Sequence, residues 1–254
     1  MRNSRKVFFE NEHGVRLAGI IDSPPGDEVA TAIFSHCFTC TKNLKAIVKI
    51  SRKLAGHGIK VLRFDFTGLG DSGGSFPDSN FDSCCQDVLA AARFLETESK
   101  PASFLIGHSL GGAAMMATAG QQTSVIGLVT IASPSSTHHL ADYLGRTNPD
   151  IEAKGEGEVT IGGRTYLLKK QLIENLRQQD LPAALQALKI PHLIFHPRED
   201  DTLPFWHAEK MFELTGGHKS LVTLDQSDHL LVTRPDDCDY VADLTFKWMQ
   251  RYQQ

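Results

Sequence analysis

No apolar run in the 254 residues approaches the roughly 20 needed to cross a bilayer as a helix, so a membrane span is not expected. Charge of one sign is not in excess either. A net charge of −4 gives no electrostatic footprint for nucleic acid or for an acidic membrane surface. Cysteine is sparse and odd in number, at positions 37, 40, 84, 85 and 238, and its spacing follows no disulfide framework. The expected state of these thiols is reduced and the expected location cytoplasmic. Cys37-x-x-Cys40 has redox or zinc spacing but stands alone, without a second pair, and its expected role is packing. The opening Met1-Arg-Asn-Ser-Arg-Lys6 is basic but leads into Val7-Phe-Phe9 and then polar residues, unlike a signal-peptide core. Repeats, low-complexity tracts and linkers are absent. Residues 1–254 are therefore read as one domain, and 41% hydrophobic residues are enough for one large core.

Apolar β-type runs alternate with helical patterns, the signature of an α/β fold with a mostly parallel sheet and helices on both faces. Val7–Glu10 and Val15–Ile21 read as an opening antiparallel hairpin, and Thr31–Ser35 as a buried strand. Leu44–His57 has the period of an amphipathic helix stopped by Gly56 and Gly58. A strand at Lys60–Phe66, a helix at Asp82–Thr97, and strands at Ser103–Ile106 and Gly127–Ala132 follow. The alternation then breaks. Residues 134–188 read as a cap insertion containing a hairpin that turns on Gly162-Gly163 and a helix near Leu168–Gln178. Strand His192–His196, helix Phe205–Thr215, strand Ser220–Leu224 and helix Tyr240–Tyr252 complete an eight-stranded arrangement.

The sequence Gly107-His-Ser-Leu-Gly111 sits between a strand and a small-residue helix. G-x-S-x-G in that context forms a nucleophile elbow. The turn forces an uncommon backbone conformation on the serine, and side chains at Gly107 and Gly111 would collide with neighbouring backbone. Ser109 is thereby the candidate nucleophile. A serine that attacks an acyl carbon needs a base, a group to orient that base, and donors for the oxyanion. His229, after the last strand and before the final helix, is the candidate base. Asp200 follows the strand at 192–196 and is in register with a G-x-x-D-x-x-V-P type of pattern. Its neighbour Asp201 is the rival acid, read as a helix N-cap. The oxyanion donors are expected to be the backbone N–H groups of Leu110, just after the serine, and Phe38, in the loop after Ser35.

Two further features read as structural. The Gly68–Gly74 loop lacks both the lysine of a phosphate loop and G-x-G-x-x-G spacing, so it is expected to be a turn under the site. His108 has no second ligand spaced to share a metal with it and is expected to shape the elbow. Apolar residues in the insertion, among them Leu140, Tyr143, Tyr166, Leu168 and Leu172, fit either a hydrophobic pocket or simple packing.

With these motifs the chain resembles the serine α/β-hydrolase superfamily over essentially its whole length. The carrying residues are His36-Cys-Phe-Thr39, Arg63-Phe-Asp-Phe-Thr-Gly-Leu-Gly-Asp-Ser72, Gly107-His-Ser-Leu-Gly-Gly112, Asp200 and Asp228-His229. Cys37 departs from the pattern, standing where many such enzymes have glycine. More narrowly, Ser35–Leu44, Phe64–Gly70 and Ile161-Gly-Gly-Arg164 resemble the hydrolase module fused to an OsmC-like domain in some bacterial proteins. The resemblance implies an α/β-hydrolase fold and hydrolysis of carboxylic esters, or thioesters, without metal or organic cofactor. It also implies a small-molecule acyl substrate, with an OsmC-like domain as the partner. Competing functions are an acyltransferase or peptidase with the same residues, a C–C bond hydrolase, and a non-catalytic binding protein on the same scaffold.

Overall fold

Strands β1 (Ser4–Glu10) and β2 (Arg16–Asp22) form the antiparallel hairpin, with Gly14 at φ +72° in its turn. The structure is a computed structural model and describes residues 3–253. Strand and helix then alternate through β3 (Ala30–Ser35), α1 (Lys45–Gly56), β4 (Ile59–Phe64), α2 (Phe81–Glu98), β5 (Phe104–His108), α3 (Leu110–Ala119) and β6 (Gly127–Ile131). The irregular stretch after β6 holds α4 (His138–Thr147), α5 (Asp150–Lys154), β7 (Glu156–Ile161), β8 (Arg164–Lys169), α6 (Lys170–Gln178) and α7 (Leu181–Ala187). Alternation resumes with β9 (His192–Pro197), α8 (Trp206–Leu214), β10 (Lys219–Leu224) and α9 (Asp237–Tyr252).

The main sheet has eight strands in the order β1-β2-β4-β3-β5-β6-β9-β10, while β7 and β8 pair only with each other. β2 runs antiparallel to β4, and every pairing from β4 across to β10 is parallel. The loops leaving β3, β5, β9 and β10 therefore emerge along one edge of the sheet. This is the edge where open α/β sheets place their sites.

Period-two geometry divides the core between the two faces. Leu62 and Leu105 pack in the layer that holds Ala91 of α2 and Met115 of α3, whereas Val61, Phe104 and Ile106 face Ile47 and Leu54 of α1 and Val241 of α9. Each fully buried Leu or Ile contributes about 1.5–3 kcal/mol of apolar burial. Helix α1 buries Ala46, Ile47, Ile50 and Leu54 at helical spacing, and Gly58 at φ +93° turns the chain out of it. Asn80 and Ser83 form a reciprocal capping box that starts α2.

The irregular stretch docks on the start of α2. Asn80 Nδ2 donates to Gln171 Oε1 at 2.7 Å, and the Asp82 N–H donates to Asn175 Oδ1 at 3.1 Å. Three of its helices, α4, α5 and α7, have no counterpart in the sequence expectation. The anticipated helix near Leu168 begins at Lys170 instead, because Leu168 is still paired with Gly157 in the hairpin. The last helix starts at Asp237, ahead of Tyr240, with Asp237 and Asp239 in a first turn that favours negative charge. No helix among the described residues is long and apolar enough to cross a membrane.

Candidate active site

Ser109 links β5 to α3 at φ +54°, ψ −124°, a backbone state that costs a non-glycine residue about 1–3 kcal/mol. Its surroundings hold it there. The Ser109 N–H donates to Ile131 O at 2.9 Å, and the Ser109 carbonyl accepts from the Gly112 N–H at 2.9 Å. Three glycines allow the close approach. A Cβ on Gly107 would lie 2.4 Å from Gly112 Cα, one on Gly111 would lie 2.4 Å from His36 O, and one on Gly112 would meet Ser133 Oγ. The motif implies the close approach at Gly107 and Gly111, and the structure adds Gly112 to them.

His229 lies in the loop between β10 and α9, and its Nε2 is 3.0 Å from Ser109 Oγ. Its Nδ1 is 2.8 Å from Asp200 Oδ2, in the loop after β9. An ionised carboxylate only accepts, so Nδ1 carries the proton and Nε2 is left to accept the serine hydroxyl hydrogen. Asp200 Oδ1 accepts the Thr202 and Leu203 N–H groups at 2.9 and 2.8 Å. Burial pushes the Asp200 carboxyl up, but the His229 hydrogen bond and charge and the two backbone donors outweigh it. The carboxyl is held below its ordinary value. All three side chains belong to buried residues, at 8% exposure for Ser109 and 7% for His229 and Asp200. Asp201 is exposed, accepts from the Thr202 hydroxyl at 3.2 Å, and does not cap a helix, since α8 starts after Phe205. Asp228 fixes the His229 loop by accepting the Val232 and Thr233 N–H groups.

Phe38 and Leu110 line one small cavity of about 20 Å³ beside the serine turn, shared with Phe76, Cys84 and Leu172. That volume holds about one water molecule. Neither the Phe38 nor the Leu110 N–H has an acceptor among the described residues. Of the insertion's apolar residues, Leu172 reaches the cavity and Tyr166 packs edge-on against Phe76, with ring centres 5.3 Å apart. Leu144, Leu168 and Ile173 instead fill the core, and Tyr143 is exposed.

Cys37 and Cys40 are joined in a disulfide, which corrects the expectation of five reduced thiols and removes its argument for a cytoplasmic location; Cys84, Cys85 and Cys238 are free. The loop bearing Phe38 is clamped on both sides by residues of the quoted motifs to which the sequence assigned no role of their own. His36 Nε2 accepts the Phe66 N–H at 3.2 Å, so its Nδ1–H donates to Cys37 O at 2.8 Å. At the far end Lys42, 2% exposed, binds Asp65 through Nζ and through its backbone N–H, and Asp71 through Nζ at 2.7 Å. The glycine loop makes this clamp possible, since a Cβ on Gly70 would overlap the Asp65 carboxylate.

His108 is more than filler: its Nε2–H donates to the His229 carbonyl at 2.7 Å, tying the strand before the serine to the histidine loop. It belongs to a set of buried neutral imidazoles. Burial lowers His36 and His207 to about 4, and His108 and His192 to about 3. The unfolded chain protonates these groups near 6.5 while the folded chain refuses the proton. Stability is therefore complete above pH 6.5 and falls as pH drops toward 4. Each imidazole costs about 1.4 kcal/mol per pH unit in that window. Between pH 7.5 and 5.5 the four together are expected to remove on the order of 5 kcal/mol, measurable by urea unfolding at the two pH values. A change under about 1 kcal/mol would contradict the buried-imidazole account.

Among the described residues no group of three or more His, Cys, Asp or Glu side chains is arranged to hold a metal ion. A mostly parallel eight-stranded sheet of this strand order, with helices on both faces, defines the α/β-hydrolase class of fold. The chain belongs to the alpha/beta hydrolase family, whose sequence model matches residues 32–243. It is 40% identical to the esterase domain of a Rhodothermus marinus protein, whose crystal structure matches with a TM-score of 0.81 over 99% of this chain and 100% of that one. It is 26% identical over 184 residues to the mitochondrial palmitoyl-protein thioesterase ABHD10 of Rattus norvegicus, covering 69% of this chain and 60% of that protein. Est1E of Butyrivibrio proteoclasticus with ferulic acid bound is 19% identical, with a TM-score of 0.82 over 97% and 98% of the two chains, a likeness of fold alone.

Proposed function

We propose that this chain is a serine hydrolase that cleaves small carboxylic esters, and thioesters by the same route, through an acyl-enzyme on Ser109. The observation that carries the reading is the unbroken relay from Ser109 Oγ through His229 to Asp200. His229 Nε2 takes the serine proton as Oγ attacks the acyl carbon. The oxyanion is received by the N–H groups of Phe38 and Leu110. His229 then returns the proton to the departing alkoxide or thiolate, and afterwards activates the water that releases the acid. Asp200 holds the imidazole tautomer and stabilises the imidazolium.

The whole-length likeness to an esterase domain supports ester cleavage, and the likeness to a palmitoyl-protein thioesterase supports including thioesters. The small cavity beside Phe38 and Leu110 supports a preference for short acyl groups, and residues 134–188, which contribute Leu172 to its lining, are the proposed cap. An OsmC-like domain is carried as the partner implied by the sequence resemblance. Acyl transfer to another acceptor and peptide cleavage use the same residues and differ in their products.

The test is hydrolysis of p-nitrophenyl esters from acetate to dodecanoate, with thioesters in parallel, while a fluorophosphonate probe is mapped by peptide mass spectrometry. Turnover that falls with chain length, with the probe on Ser109, supports the reading. Label on another residue, or a folded protein with neither turnover nor label, refutes it.

A further inference from the structure

We infer that the Cys37–Cys40 disulfide is a reversible modification site that positions the oxyanion donor of Phe38, so that a dithiol reductant switches the enzyme to a slower form. The inference rests on the ester-hydrolase reading of Ser109.

The two cysteines bracket the turn that presents Phe38. Their Cα atoms lie 5.3 Å apart, and the Cys40 N–H donates to Cys37 O at 3.1 Å. Thr39, the third residue of this turn, has φ +62°. That position favours glycine or asparagine, and a β-branched residue there is strained unless its surroundings hold it. The clamps at His36 and Lys42 fix the loop outside the turn. Within the turn the chain is held by the 3.1 Å backbone bond, the His36 Nδ1–H bond to Cys37 O, a 3.3 Å bond from the Tyr166 hydroxyl to Thr39 O, the packing of Phe38 on Phe76, and the disulfide. Only the last is covalent.

Breaking the sulfur–sulfur bond forces the two atoms from about 2 Å to a non-bonded distance of at least about 3.5 Å. Cys37 is buried and borders the same small cavity as Phe38 and Leu110, so its displacement is taken up by the cavity and by the turn that carries Phe38. Thr39 is then free to leave its strained state, and the Phe38 N–H moves with the turn. Oxyanion donors act within a few tenths of an ångström, and a displacement of about 1 Å costs on the order of 10²-fold in rate.

The chemistry is thiol–disulfide exchange. Cys40 is half-buried and Cys37 buried, so an incoming thiolate attacks Cys40 Sγ and Cys37 leaves as a thiolate that takes a proton. The reductant's second thiol then attacks the mixed disulfide and releases Cys40. The dithiol is oxidised to its disulfide, and the protein pair gains two electrons and two protons.

The experiment compares kcat and KM for p-nitrophenyl acetate in oxidised protein, after dithiothreitol, and after reoxidation, with thiols counted under denaturing conditions. Reduction is expected to raise the count from three to the full five. It is expected to lower kcat about 10- to 100-fold with KM changed less than about two-fold, because the donor acts in the transition state. Fluorophosphonate labelling still goes to completion, but more slowly, which separates a displaced donor from an unfolded fraction. The loop-closure entropy of so short a ring is about 2 kcal/mol, so Tm is expected to fall by only about 4–8 °C, and the reduced protein stays folded at the assay temperature. Reoxidation restores the rate. The variant with Cys37→Ser and Cys40→Ser is expected to be slow from the start and indifferent to dithiothreitol. Unchanged kcat at five thiols, or five thiols before any reductant, overturns the inference while leaving the esterase reading intact. Absence of turnover in the oxidised protein overturns both.

Discussion

Replacing Ser109 by alanine is expected to lower kcat for a p-nitrophenyl ester by about 10⁵- to 10⁶-fold, and the His229→Ala variant should fall as far. The two side chains act as a unit: the hydroxyl attacks only because Nε2, 3.0 Å away, accepts its proton. Removing either ends covalent catalysis, so the double variant should be no slower than either single one. What survives is a residual rate over water from the N–H donors and from holding the ester in place, about 10³–10⁴. Alanine at 109 also relieves a positive φ only slightly, since it too has a Cβ. Stability should therefore remain within about 1 kcal/mol of the parent. Steady-state rates alone are vulnerable to contaminating esterases at this depth. The decisive measurement is the single-turnover rate together with loss of the fluorophosphonate label. A fall of less than about 10²-fold would mean that another group carries the acyl transfer.

The parts of this arrangement that could be read from the residues are those fixed by local rules. Glycines at 107 and 111 announce a turn with close backbone approach, and the structure places their missing Cβ atoms 2.4 Å from Gly112 Cα and His36 O. Continuous apolar runs such as Phe104-Leu-Ile106 announce strands buried on both faces. The disulfide was not legible, because C-x-x-C spacing is compatible with packing, metal binding or pairing. The structure joins the two sulfurs, across a turn that sets their Cα atoms 5.3 Å apart. Nor was the clamp of Lys42 on Asp65, two side chains 23 positions apart whose pairing depends on β3 and β4 lying side by side. Helices α5 and α7 are short, at 5 and 7 residues, and α4, at 10, buries only Ala141 and Leu144 in a stretch where the strand–helix alternation breaks. Periodicity over so few turns is weak, and tertiary contact supplies their stability.

Asp200→Asn is expected to lower kcat about 10⁴-fold, whereas Asp201→Asn should leave it within about two-fold. The contrast follows from hydrogens rather than from charge alone. In the parent, Asp200 Oδ2 accepts the proton on His229 Nδ1 at 2.8 Å, which leaves Nε2 as the acceptor facing Ser109. Asparagine keeps an oxygen for the Thr202 and Leu203 N–H groups, bonds now made by Oδ1 at 2.9 and 2.8 Å. Its NH₂ group is then turned toward the histidine and donates to Nδ1. The imidazole must carry its proton on Nε2, and it can no longer accept the serine hydrogen. The loop geometry survives while the tautomer is wrong, so the variant should fold normally and bind substrate with little change in KM. Asp201 is exposed and bonded to its neighbour's hydroxyl, so its charge is screened by water and its amide replacement touches nothing in the relay. The acid that orients the histidine is thus identified by a ratio of two kcat values measured side by side. A ratio near one, or a larger loss at Asp201, would reassign the acid and with it the tautomer argument.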